Sequence, residues 1–183
     1  MSGNLSQSRS PDLTEVIQAA MGQVPSMMYV AGPGIIQSYD ENTRTAEVLP
    51  GVSRPFLNSN GTDGLDELQP LKDVPVLMPG GGGFFFKFPI QRGDLVLLVY
   101  CDNSIDSFIA SGGKVQTDPV DLREHDISDA VAIPGFYTQL NRVLSDSATA
   151  GKMAFGADGV SGKYITIDST GKLDVNGNFT VDP

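Results

Sequence analysis

The sequence Arg123-Glu124-His125-Asp126 sets an imidazole between two carboxylates, and Asp118, Asp121 and Asp129 lie within the same polar segment, residues 114–132. These residue types can hold a metal ion or move a proton. Their spacing argues against both. Neighbouring positions point in different directions, so three convergent ligands require help from other segments. His125 is the only histidine, and it reads as a solvated or loop-packing side chain. Any Ser-His-acid triad must use it, and no nucleophile elbow surrounds Ser145 or Ser147. Asp63 with Asp66 or Glu67 imitates a glycosidase pair, but a polar loop accounts for them better. The sole cysteine, Cys101, excludes an intrachain disulfide and a cysteine zinc cluster. It reads as a small buried apolar residue. The Gly80–Gly83 run lacks the Gly-Lys-Ser/Thr ending of a phosphate loop and is expected to be a loop tip or a tight backbone passage. The triplet Arg92-Gly93-Asp94 suits a turn entering a strand better than a receptor motif. No catalytic residue, cofactor or metal is therefore expected, and the chain is not read as an enzyme.

With chemistry set aside, the elements themselves carry the information. The 183 residues hold 12 Lys+Arg against 22 Asp+Glu, a net charge of -10, and the basic residues are scattered. A nucleic-acid groove needs local positive potential, so no nucleic-acid partner is expected. The apolar runs are too short for a spanning helix, and the polar first ten residues do not resemble a signal peptide. Ser10 and Pro11 suit a helix start. Leu13, Val16, Ile17, Ala20, Met21 and Val24 follow at helical spacing, and Pro25 is expected to end the helix. Its stripe must dock on its own domain or on a neighbouring protein.

Residues 28–49 predict a β-hairpin, with Ile35, Ile36 and Tyr39 in one strand, Thr45, Ala46 and Val48 in the other, and Asp40-Glu41-Asn42 at the turn. Residues 54–69 predict a long loop, and 73–80 another strand. Phe84, Phe86 and Phe88 are expected to face one way and Phe85 with Lys87 the other, as core or as a subunit contact. Leu95 to Val99 are continuously apolar, which predicts a central strand covered on both sides. Residues 105–113 predict a short strand and a Gly turn, and 129–136 close the segment. Such short strands with Gly/Pro turns suggest a small closed β barrel, which also hides its edges.

From residue 151 the composition changes. Glycines break the chain into strands of four to six residues, in which Ile165 with Ile167, Leu173 with Val175, and Phe179 with Val181 supply the apolar positions. Ordering one residue costs roughly 1–2 kcal/mol of backbone entropy, and a buried aliphatic side chain returns about 1.5–3 kcal/mol. One copy of residues 151–183 is too poor in such side chains to hold its shape. Three copies sharing a core around an axis are the simplest solution, so a homotrimer is expected. A tail that merely extends the barrel's sheet is the alternative.

The stretches PDLTEVIQAAM (11–21), GPGIIQSYDENTRTAEVLPGV (32–52), DVPVLMPGGGGFFFKFPIQRGDLVLLVYCDNSIDSF (73–108) and REHDISDAVAIPGF (123–136) resemble the central spike, or membrane-puncturing, proteins of contractile-tailed bacteriophages with a Gp138-type N-terminal domain. The resemblance covers residues 11–140 by motif and the tail by pattern only. It implies an oligonucleotide/oligosaccharide-binding-like (OB-like) barrel seated on the tail hub, an intertwined trimeric β-helix projecting from it, location in the virion's tail baseplate after assembly in the host cytoplasm, and transient contact with the host outer envelope at contraction. Many members end in a His-x-His tip that holds iron. This sequence has no His-x-His, so no such tip is expected; either a separate tip protein caps the chain or the β-helix ends by itself.

The full expectation is a mostly β chain: residues 1–26 a flexible segment and amphipathic helix, 27–136 the barrel, 137–150 a connector, and 151–183 the trimeric β-helix. Leu13, Val16, Ile17 and Met21, with Phe84, Phe85, Phe86 and Phe88, are expected to contact the hub or other subunits. Ile165, Ile167, Leu173, Val175, Phe179 and Val181 are expected to form the trimer core. The competing readings are an OB-type module that binds oligonucleotide or glycan, and a trimeric receptor-binding tail protein.

Overall fold

The structure is a computed structural model that describes residues 12–57, 62–138, 151–157 and 163–177. The chain divides into two compact units, Met1–Phe136 and Tyr137–Pro183. The first contains α1 (Leu13–Met27), β1 (Ala31–Asp40), β2 (Thr45–Pro50), β3 (Arg54–Leu57), β4 (Asp63–Asp66), β5 (Leu71–Pro75), β6 (Gly80–Gly81), β7 (Phe84–Phe85), β8 (Leu95–Tyr100), α2 (Asp106–Ala110) and β9 (Ala130–Pro134). The second contains β10 (Met153–Ala157), β11 (Lys163–Ile167) and β12 (Leu173–Asn176).

Helix α1 starts at Asp12, whose N–H donates to the Glu15 carboxylate at 3.1 Å, half of a capping box. It does not end at Pro25 but runs to Met27. Proline lacks one backbone N–H, which weakens a helix without forbidding two more residues at its end, and the helix stops at Met27.

The main sheet has the order β5-β2-β1-β8-β9, with neighbouring strands antiparallel. The hairpin expected over 28–49 is present as β1 and β2. Asp40 shapes its turn by accepting from the Asn42 N–H at 2.8 Å, and Arg44 closes it with φ 58°. Strand alternation sends Ile36, Ala46, Val48, Val74, Val96, Leu98, Tyr100, Ala130 and Ala132 to one buried face. The run Leu95–Val99 splits by the same alternation: Val96 and Leu98 are buried, while Leu95, Leu97 and Val99 are half-buried. The expected cover on both sides is thus complete on one side only. Gly34 lies in this core because a Cβ there would meet Val48 Cγ1 at 2.7 Å and Leu98 Cδ1 at 3.0 Å. Register shifts at Ile36/Ser38 and Ala46/Val48 bend the strands. The sheet curls until Val76, beyond β5, bridges Ala132 in β9 in parallel, and the Leu77 N–H donates to the Ala132 carbonyl at 2.9 Å. It is a curled, open half-barrel rather than the closed barrel expected, because its edges meet at this one bridge.

Two other expectations fail. Residues 54–66 are not all loop, since β3 and β4 pair as a hairpin from Arg54↔Asp66 to Leu57↔Asp63. Backbone pairing needs no apolar pattern. Residues 106–110 form the single-turn helix α2 instead of a strand; the following Gly112 and Gly113, at φ 72° and 68°, make the expected turn.

In the second unit, β10, β11 and β12 form an antiparallel meander. The Asp168 carboxylate organises the β11–β12 turn by accepting from the Thr170 N–H at 2.8 Å, the Thr170 hydroxyl at 2.6 Å and the Lys172 N–H at 3.0 Å. These bonds hold its carboxyl below the usual range. Gly171 supplies the positive φ, 81°, that the turn requires.

Candidate interaction surfaces

Among the described residues, three exposed apolar surfaces hold side chains that the sequence singles out, while the sheet core is buried. The first is the α1 stripe. Leu13 is 71% exposed, and Val16, Ile17 and Met21 are exposed too. The helix does not bury this stripe on its own domain.

The second is an aromatic finger. β6 pairs with β7 as Gly80↔Phe85 and Gly81↔Phe84, and Gly82 and Gly83 turn the chain at φ 59° and 87°. Two successive left-handed residues make the tight primed turn that suits a hairpin, so the glycine run is a hairpin tip. The Phe86 N–H extends the pairing to the Pro79 carbonyl at 2.8 Å. Because glycines stand opposite, the Phe84 and Phe85 rings have no side chain across the strand pair. Phe84 is 84% exposed and Phe85 74%, and Phe86 and Phe88 are also exposed. The reading of these residues as core is therefore wrong for the single chain. A Lys87–Glu41 ion pair at 3.4 Å links the finger to the β1–β2 turn.

The third is one face of the tail meander. Met153 pairs with Ile167 and Ile167 with Leu173; Phe155 pairs with Ile165 and Ile165 with Val175. Side chains paired across strands share a face, so these six residues form two rows of three. Met153, Phe155, Ile165, Leu173 and Val175 are exposed and Ile167 is half-buried, while Thr166, on the other face, is buried. The structure brings together Ile165, Ile167, Leu173 and Val175 as the sequence suggested. It adds Met153 and Phe155, whose membership depends on a register that local pattern does not reveal. Phe179 and Val181 lie outside the described residues.

The polar residues that first suggested chemistry do structural work. Arg123 grips the buried Asp129 with two bonds, Nε to Oδ2 at 2.6 Å and Nη2 to Oδ1 at 3.0 Å. It also reaches Asp106 at 2.7 Å and Asp121 at 3.3 Å. Asp129 accepts from the Ile105 N–H at 3.1 Å, and its own carbonyl accepts from the Cys101 N–H at 2.8 Å. The network fastens β8, α2 and the segment entering β9. The Arg123 bonds hold the Asp129 carboxyl below the usual range against the opposing effect of burial. In the sequence the network's signal is Arg123, the one Lys or Arg between Asp118 and Asp129, set among five carboxylates.

His125 adopts φ 49°, exchanges backbone bonds with Asp102 and Tyr29, and keeps its Nδ1 3.8 Å from Asp102 Oδ1. It packs a loop. Burial and the nearby Asp129 and Asp102 push the Cys101 thiol up, away from the reactive thiolate. Among the described residues no group of three or more His, Cys, Asp or Glu side chains converges as a metal site. A shallow groove of about 460 Å³ along Ser38–Asp40, Thr43, Thr45–Glu47, Lys72 and Asp73 has mixed charge and no convergent donor set.

The first unit is thus a small curled sheet with a buried core, from which the α1 stripe and the phenylalanine finger stay exposed. The family described as Phage protein Gp138 N-terminal domain matches residues 32–135, from the start of β1 to the end of β9. The chain belongs to this family. No curated protein matches the chain.

Proposed function

We propose that this chain is a structural component of a contractile phage tail, the central spike of the baseplate, which attaches to the hub and helps pierce the host envelope. The observation that carries the reading is the six-residue apolar face of the tail meander, five of whose side chains are exposed, in a chain that also holds a sheet domain of a phage family. An isolated three-stranded sheet with one apolar face needs a cover. Three copies that turn these faces toward a common axis supply one another's cover, and a shared core with continuous backbone pairing resists axial load.

In this reading the first unit is an OB-like domain. The strand order β5-β2-β1-β8-β9 and the parallel bridge between Val76 and Ala132 support a five-stranded, partly open barrel. The α1 stripe and the phenylalanine finger are contact surfaces toward the hub or neighbouring copies, and a separate tip protein is the candidate cap. Gold-labelled antibody against the chain tests the placement on purified virions. Label on the tail axis at the baseplate is expected; label confined to fibres or capsid contradicts it.

A further inference from the structure

We infer, building on the trimeric reading above, that α1 of one copy packs against the β6–β7 finger of the next, closing the trimer as a ring of head-to-tail contacts. Both halves of this contact exist in every chain, and neither covers the other: the outermost residues, Leu13 and Phe84, are among the most exposed apolar side chains described. Their chemistries match. Beside its stripe of Leu13, Val16, Ile17 and Met21, α1 carries Asp12 and Glu15 at its start and no basic residue in its last turn. The finger carries Lys87, and Arg92 follows four residues after Phe88. Among the described residues Lys87 pairs with Glu41, both exposed, a kind of contact that exchanges readily. Apolar stripe meets aromatic finger, and acid meets base.

Phe84, Phe85, Phe86 and Phe88 are all exposed, and a cluster of exposed aromatic side chains on a soluble protein points to a contact site. A second copy is favoured over other occupants because it covers helix and finger together. Two different patches on one chain form a heterologous contact, which closes into a ring when the rotation between copies is threefold. A lipid surface would also accept an aromatic finger, but it would leave the α1 stripe uncovered and would face a chain of net charge -10.

The test is cross-linking of the full chain carrying Leu13→Cys and Phe84→Cys with a short bis-maleimide, with the wild type, holding only Cys101, as control. Covalent trimers on a denaturing gel are expected, with neither single variant yielding them. A bridge within one chain overturns the inference, and so does the lack of any bridge in a preparation whose mass is that of a trimer. A preparation with the mass of a monomer removes the trimeric reading and this inference with it. Because Phe84 and Phe85 are exposed, the double variant Phe84→Ser/Phe85→Ser retains the fold, and it is expected to weaken association about tenfold. Unchanged association, together with loss of wild-type binding to phosphatidylethanolamine–phosphatidylglycerol vesicles, would assign the finger to membrane and overturn the inference.

Discussion

The curled sheet of residues 31–134 and the meander of residues 153–176 are both antiparallel and both divide their side chains between two faces by strand alternation, yet only the first covers its own apolar face. Five strands, two register shifts and small inward residues (Gly34, Ala46, Ala130, Ala132) let the larger sheet bend until Ile36, Val48, Val96 and Leu98 face one another. Three strands of four or five residues cannot fold over themselves, so Ile165, Leu173 and Val175 stay at the surface. Alternation decides which side chains share a face. Strand number and curvature decide whether that face finds a partner within the chain.

Substitutions divide along this line. The largest effect is expected from Ile165→Asp combined with Leu173→Asp. Two charges on the face assigned to the trimer axis should abolish association, while the circular dichroism of the curled sheet persists. A trimer that survives would break the comparison. Next is Leu98→Ala, which empties a fully buried site and should cost about 2–5 kcal/mol in denaturant unfolding of the first unit. Asp129→Ala removes the buried partner of Arg123 and the acceptor of the Ile105 N–H; about 3 kcal/mol is expected by the same assay. Gly34→Ala forces a Cβ against Val48 and Leu98, and about 1–3 kcal/mol of overpacking should appear.

The smallest effect is on acid stability. Asp126 and Asp129 have folded carboxyls held below their ordinary range, chiefly by the hydroxyl and N–H of Ser128 and by Arg123, respectively. A group whose folded pKa lies below its unfolded value of about 3.9 stabilises the fold above that pH, and the contribution is lost as pH falls through the folded pKa. Denaturant midpoints of the wild type should therefore be flat near neutrality and fall below about pH 4. In Asp129→Asn the fall should be shallower. An equal slope would remove Asp129 from the account.

Much of the sheet domain was legible from sequence because its strands are local statements. Ile36 with Ala46 and Val48 marked the hairpin, and Leu95–Val99 marked β8. The β3–β4 hairpin escaped notice because Asp63, Gly64 and Asp66 give no apolar signal, and α2 because one turn holding Phe108 and Ile109 looks like a strand. Arg123 with Asp129 and the placement of Met153 and Phe155 depend on chain returns that no local pattern records. The α1 stripe and the phenylalanines were legible as apolar clusters that need a partner, but whether that partner lies in the same chain was left open, since spacing cannot say.

The most direct measurement is the mass of the purified chain in solution, by light scattering on a size-exclusion column at micromolar concentration. Three times the chain mass of 19.4 kDa is expected, held together through the meander faces. A single 19.4 kDa species whose Ile165, Leu173 and Val175 are protected from solvent within their own chain would contradict it.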